Sequence, residues 1–483
     1  MRLGQTSIVH FTSRFLASML GFVATIFIAR FLGSETLGIY YLVLSTVSWL
    51  GIAVKMGVPS AINKRVSEGE DEAAYTIAGG TIVLALFLIV SVLTLLFREQ
   101  INDYIGYPAA AAVVLFLFVN LVQSSVNSIL SGQHLVHISG IFNPIRTGTR
   151  SLVQIGAILA GFQITGLFIG YTAGYALVSV LGLWIAIRHF DSISLPTVEH
   201  YRRIVSYAEY SWLGEIRSRA FNWVDVAVLG FFVSSSLVGI YTAAWNIAVF
   251  LILFGGSLSE TLFPEMSSLS ADDDSESVAE LFEAALTYGG LILIPGLVGG
   301  TLLGEQLLRV YGEEFTQGAT VLSVLIVATL IQGYQRQFTM TLDAIDRPDV
   351  SFKINAVFIG ANVLLNVSLI PIFGVVGAAA ATASSVAISL VIAYISLSSL
   401  VEFSVPVGEI GRQWIAAGIM GLFVYAGLWF EAEYVNLSSN IAVVLALVGL
   451  GSVVYFTTLI VISAHFRLTV DQNLPIDLPL DWT

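Results

Sequence analysis

Leu37-Gly38-Ile39-Tyr40 follows one long apolar segment, and Val238-Gly239-Ile240-Tyr241 follows another. The two glycines stand 201 residues apart, and the same offset lays Phe31 on Phe232, Ser34 on Ser235 and Ser67 on Ser268. A repeat of this length is a half-molecule and not a solenoid unit. In a membrane chain, two related halves place a substrate path between them, which turns the reading toward transport.

The membrane itself follows from composition. The chain has 483 residues, 56% of them hydrophobic and only 11% charged, with a mean hydropathy of +0.87; a soluble domain carries about 25% charged residues. Apolar windows of about 20 residues fall near 8–31, 37–61, 75–97, 110–131, 140–163, 165–188, 209–233, 237–262, 281–304, 317–341, 351–371, 374–399, 409–430 and 436–464. The fold class expected is an all-α polytopic membrane protein with about fourteen transmembrane helices. These runs are continuous, so a barrel of alternating strands is disfavoured. With a cytoplasmic N-terminus, Lys64, Arg65, Arg188, Arg202, Arg203 and further basic residues face inside, against Arg98 and Arg309 outside. That asymmetry is the positive-inside pattern. The first segment continues past Arg14 to Arg30 with no small-residue cleavage site, and reads as a retained helix.

Six helices precede the repeat point, and an even number returns the chain to its starting side. The halves are therefore parallel repeats about an axis along the membrane normal. Ser139 and Asn143 match Ser351 and Asn355 at an offset of 212, and Gly166 matches Gly377 at 211. The expected division is an N-lobe over 1–190, a cytoplasmic linker over 191–208 with a short surface helix near 200–207, a C-lobe over 209–402, and an added helix pair with an acidic tail over 403–483. The two six-helix lobes would surround a central cavity.

Several chemistries drop out. No loop is long enough to fold as a catalytic domain, and there is no Walker loop, dinucleotide fingerprint or Gly-x-Ser-x-Gly elbow. No cysteine is present, which removes thiolate metal sites and disulfides. His134 and His137 have no carboxylate beside them to complete a metal-ligand set, so no metal and no cofactor is expected. The net charge of −13 argues against nucleic acid as a partner. Asp272-Asp273-Asp274 reads as solvated acidic surface, and Asn436-Leu437-Ser438 matches an N-glycosylation sequon in an outer loop.

Charge inside the membrane carries the functional signal, because each such group costs roughly 2.5–3.5 kcal/mol at a helix centre. Arg14, Lys55, Arg146, Arg150, Arg217, Arg219 and Arg336 lie in the cytoplasmic halves of expected segments. Basic side chains near a helix end also snorkel to lipid phosphates without further role. For Lys55, Arg146 and Arg336 the two readings weigh evenly, whereas Arg14, Arg217 and Arg219 lie more than a turn inside. Arg146 and Arg150 share a face at i, i+4, which suits phosphate oxygens. Glu215, Arg219 and Asn222 also share a face, and Glu215 corresponds to Arg14 at the offset of 201. An Arg14–Glu215 pair could form and break between the halves, while an intrahelical Glu215–Arg219 pair would merely neutralise both. Glu215 and Asp225 are thus the gating or ion-coupling candidates. Asn120, Gln123, Asn127 and Gln332 are sugar-contact candidates, although amides also serve as interhelical glue.

The helix count, the two parallel six-helix halves with an added pair, the phrase from Leu32-Gly33 through Gly38 and Tyr40, and the run from Asp225 to Tyr241 resemble the polysaccharide-transport branch of the multidrug/oligosaccharidyl-lipid/polysaccharide exporter superfamily. The second half departs by having Val233-Ser234 where the first has Leu32-Gly33. The resemblance implies a flippase carrying a lipid-linked oligosaccharide, on polyprenyl phosphate or pyrophosphate, from the cytoplasmic to the outer leaflet by alternating access. The basic residues would line the cavity for its phosphate. Membrane lipids and glycan assembly enzymes are the implied partners of a monomer in the cell membrane, with both termini cytoplasmic. Coupling to Na+, H+ or the membrane potential stays open. A multidrug or cation antiporter of the same fold would want carboxylates rather than buried arginines. A glycan polymerase or glycosyltransferase would want a large outer loop.

Overall fold

The computed structural model describes residues 3–190, 192, 194–271, 274–435 and 439–473, without the side chains of 3–15, 210, 212–221, 253–261, 435, 472 and 473. Asp272, Asp273 and the Asn436-Leu437-Ser438 triplet therefore lie outside the described residues. The side chains of Arg14, Glu215, Arg217 and Arg219 lie outside them as well.

The described chain is helical: α1 (Leu3–Lys55), α2 (Val58–Val66), α3 (Glu72–Leu96), α4 (Arg98–Ile105), α5 (Ala110–Gly132), α6 (Val136–Leu159), α7 (Gln163–Arg188), α8 (Val198–Phe232), α9 (Ser235–Ala271), α10 (Ser275–Leu302), α11 (Gly304–Arg309), α12 (Ala319–Ala344), α13 (Pro348–Ser398), α14 (Val407–Phe430), α15 (Asn440–Ile462) and α16 (Ala464–Asn473). Ten stretches among the described residues are long and apolar enough to cross a membrane, and the chain is a multi-pass membrane protein. The expected segments outnumber these ten for three reasons, the first being that only Asn222–Phe232 of the expected segment 209–233 counts as apolar helix among the described residues, too short to be one of the ten. Each of α1 and α13 runs through two expected segments, and α6, loaded with Asn143, Arg146, Arg150 and Gln154, is not among the ten. The surface helix expected near 200–207 is not separate either. It is the beginning of α8, which Thr197 caps: the Thr197 N–H donates to His200 Nδ1 at 3.0 Å. Asp274, expected only as solvated charge, caps α10 by accepting from the Ser277 N–H at 3.1 Å.

The chain packs as two units. The first holds Met1–Thr242 and Asn366–Val375, the second Ala243–Leu365 and Val376–Thr483. The second unit buries Phe282 and Phe338 edge-to-face at 4.9 Å beside Met266, Ile354 and Leu397. A further cluster joins Leu293, Met420, Leu447 and Tyr455 across α10, α14 and α15.

In the first unit the repeated phrase meets itself. A Cβ added to Gly38 would lie 1.7 Å from the Ser235 carbonyl oxygen, and one added to Gly239 would lie 2.0 Å from the Ser34 carbonyl oxygen. Two helices thus cross backbone to backbone, with Ser34 Oγ and Ser236 Oγ hydrogen-bonded at 2.7 Å beside the crossing. The departure at Leu32-Gly33 has a local cause. Gly33 breaks α1 at φ 79° and ψ 175°, a positive-φ conformation that side chains resist, whereas its counterpart Ser234 has no positive φ and Val233 before it is extended at φ −131° and ψ 162°, which any residue adopts. A glycine is needed in one copy only.

Replacing Gly38 with alanine forces this crossing apart. Overpacking costs about 1–3 kcal/mol where neighbours can move, and here the neighbour is backbone. Gly38→Ala and Gly239→Ala should lose most of the monodisperse protein on size exclusion in detergent. Gly51→Ala, with nothing within 4 Å, should keep it.

Candidate functional site

The site is built on a glycine stripe. Gly166, Gly170 and Gly174 repeat every four residues along one face of α7, where added Cβ atoms would meet Ala157 Cβ at 2.9 Å, Gln154 Cγ at 2.3 Å and the Arg146 carbonyl oxygen at 2.6 Å. Small residues allow such an approach in lipid, where no hydrophobic force drives helices together. Packed on this stripe, α6 carries Arg146, Arg150 and Gln154 along one of its own faces. Gln154 is buried, and its Nε2 donates to the Leu167 carbonyl at 3.0 Å and to Tyr40 OH at 3.1 Å.

Tyr171 and Tyr175 follow the glycines by one residue and face the same space. They stack on each other at 4.4 Å, and the Arg146 guanidinium lies 4.9 Å from the Tyr175 ring centroid. From α5 the cavity takes Asn120, Gln123 and Asn127 at i, i+3, i+7, with Ser124, Ser128 and Ser131 beside them. Together with Lys55 from the end of α1, Asn63 from α2 and Trp223 from α8, these residues line a cavity of about 500 Å³ within the first unit.

The described charges of the lining have one sign. Lys55, Arg146 and Arg150 line the cavity, and among the described residues no acidic side chain does. Lys55 is 6% exposed, and its Nζ donates to Asn120 Oδ1 at 2.8 Å. Arg146 donates to Asn143 Oδ1. Arg150 has no ion-pair partner among the described residues, and its buried Nε makes no hydrogen bond. Asn127 Oδ1 is likewise buried without a partner. An anion is the ligand such a set accepts, since buried cations are costly until paired, and the amides and hydroxyls offer donors and acceptors to a polyol.

The candidates named from sequence divide accordingly. Lys55, Arg146, Arg150, Asn120, Gln123 and Asn127 come together in this cavity. Arg336 and Gln332 do not line it: they sit on α12 of the second unit, Arg336 exposed and Gln332 with a buried, unbonded Oε1. The hydropathy that placed them inside the bilayer could not tell one face of α12 from another. Asp225 is buried in the first unit, where it accepts from Tyr241 OH and, at 2.8 Å, from Asn366 Nδ2.

Sequence reading missed Tyr171, Tyr175 and Trp223. A signal existed for the tyrosines, because the offsets of 211 and 212 that align Gly166 with Gly377 and Asn143 with Asn355 also align Arg146, Arg150, Tyr171 and Tyr175 with Phe358, Asn362, Thr382 and Val386. The second copy replaces the cations and rings with neutral groups; there Asn362 Nδ2 donates to Thr382 Oγ1 at 3.2 Å. The offset of 212 also pairs Gln154 with Asn366, and the offset of 201 pairs Tyr40 with Tyr241, so each copy joins its phrase tyrosine to a polar partner, and only the second inserts a carboxylate, Asp225, where the first has Ala24.

A family model described as polysaccharide biosynthesis protein matches residues 3–270. The probable flippase AglR of Haloferax volcanii is 30% identical over 98% of each chain. The probable low-salt glycan biosynthesis flippase Agl15 of the same organism is 27% identical over 98% of this chain and 99% of its own. Among solved structures, the lipid II flippase MurJ in an inward closed conformation superposes with a TM-score of 0.79 at 17% identity, covering 96% of this chain and all of that one. An inward-facing multidrug resistance transporter of the MATE family gives 0.61 at 16%, covering 79% and 95%. At these identities the structures establish the fold alone.

If the α7 stripe sets the arginine positions, Gly174→Leu should separate α6 from α7 and lower the thermal midpoint by several degrees, with overpacking of about 1–3 kcal/mol. Gly156→Leu, which meets nothing within 4 Å, should leave it unchanged.

Proposed function

Because the chain belongs to the polysaccharide biosynthesis protein family, we propose that it is a flippase for lipid-linked oligosaccharides, moving a glycan on polyprenyl phosphate or pyrophosphate from the cytoplasmic to the outer leaflet by alternating access. This makes it a transporter and not a glycan-building enzyme. The observation that carries the reading is the polar cavity of the first unit, with three basic and no acidic side chains among its described lining.

Physically, the headgroup must cross hydrocarbon while its prenyl tail stays in lipid. Arg150, with donors unspent, is the primary phosphate anchor, and Arg146 and Lys55 add charge around it. Asn120, Gln123 and Asn127 hydrogen-bond sugar hydroxyls. Arg14, Arg217 and Arg219 extend the same basic surface on the sequence reading, with both termini in the cytoplasm. An inside-negative potential favours outward movement of an anion by roughly 2.3 kcal/mol per charge per 100 mV. Asp225, held by Tyr241 and Asn366, is the candidate for coupling to Na+ or H+. A cationic-drug antiporter fits less well, since its site would want carboxylates facing the cavity.

The test is flipping of a fluorescent lipid-linked sugar in reconstituted vesicles. Arg150→Ala should slow it at least tenfold and Arg150→Lys less, because lysine keeps the charge and loses the fork. Wild-type flipping by folded Arg150→Ala would reject the anion site. Asp225→Asn should abolish any dependence of the rate on Na+ or pH, and a dependence that survives would remove Asp225 from the coupling role.

A further inference from the structure

We propose that Tyr175 is a positioning residue of the anion site, holding the Arg146 guanidinium against its ring so that Arg146 and Arg150 address one phosphate together. The inference rests on the phosphate-binding reading of the cavity.

Four side chains form a ladder. Phe116, fully buried, stacks on Tyr171 at 4.0 Å and is braced edge-on by Phe168 at 5.5 Å. Tyr171 stacks on Tyr175 at 4.4 Å with 24° between planes, and Arg146 stands 4.9 Å from the Tyr175 centroid. The ladder begins in the core and ends on a cation at the cavity. With Tyr171 and Arg146 both against it, the Tyr175 ring is not offered to a sugar, so its effect passes through Arg146.

The guanidinium is fixed in two ways. Its central carbon stands over the Tyr175 ring, and Asn143 Oδ1 accepts one of its five N–H groups. Its other N–H groups make no hydrogen bond to a described side chain and are left for a ligand. A cation over an aromatic ring gains more where water is excluded, as beside the half-buried Arg146. At the matching positions of the second copy the two partners are lost together, Arg146 becoming Phe358 and Tyr175 becoming Val386. Asn143, by contrast, stays as Asn355, whose Nδ2 donates to its own helix at Ser351 O, 2.6 Å away. The copy without the cation is thus also without the ring.

Equilibrium binding of fluorophore-labelled farnesyl phosphate to the full chain in detergent tests this. Tyr175→Phe keeps the ring and should bind within about twofold of wild type. Tyr175→Leu should weaken binding roughly 5- to 30-fold, close to the loss in Arg146→Ala, and the double variant should be no weaker than Arg146→Ala alone. Should Tyr175→Leu fail to fold, Tyr175→Met fills the space without an aromatic face and should show the same loss. Wild-type affinity in the folded Leu or Met variant, or losses that multiply in the double variant, would overturn the positioning role. Arg150→Ala separates the two ideas: unchanged binding there would overturn the phosphate site itself, and the Tyr175 role with it.

Discussion

Everything in the first unit hangs on a contact without side chains, the crossing of Gly38 and Gly239. Helices in lipid gain nothing from hiding apolar surface, so they hold together through close packing and hydrogen bonds. At this crossing any Cβ would collide with backbone carbonyls on the other helix. The neighbouring Ser34–Ser236 bond is made possible by the same closeness. From this fixed point the phrase tyrosines, Tyr40 and Tyr241, extend into equivalent buried positions and reach Gln154 and Asp225.

The second theme is symmetry spent unequally. Both copies keep the helix breaks, the glycine crossing and the phrase tyrosine, which are matters of backbone. The copies part where side chains meet the cavity. The first keeps Arg146, Arg150, Tyr171 and Tyr175, the second has Phe358, Asn362, Thr382 and Val386, and only the second has Asp225. A cationic pocket thus belongs to one copy and a buried carboxylate to the other. Duplication supplies a scaffold with two equivalent addresses, and each address has taken a different charge.

Much of this was legible beforehand. Hydropathy gave the segments, because the bilayer demands long apolar helices with every backbone group bonded internally. The i, i+4 spacing of Arg146 and Arg150 and the i, i+3, i+7 spacing of Asn120, Gln123 and Asn127 assigned each set to one helix face, and both faces line the cavity. Arg336 and Gln332 are candidates for lying within an apolar segment and do not line the cavity, since hydropathy places a residue in a helix without saying which face it occupies. The linker helix merged into α8 because no proline interrupts the chain between His200 and Phe232.

By itself the sequence determined that the chain is a doubled membrane protein, where its helices run, and that its buried charge is mainly basic. These are properties of composition and period, and they need no knowledge of neighbours. Only the tertiary structure decided that Lys55, Arg146 and Arg150, from two helices far apart in sequence, share one cavity with the amides of α5. It also decided that Arg146 rests on Tyr175 and that Asp225 is held by Tyr241 and Asn366. The reason is the close approach of α6 to the glycine stripe of α7, which fixes the rotation of each helix about its axis, a quantity that no pattern within a single helix contains.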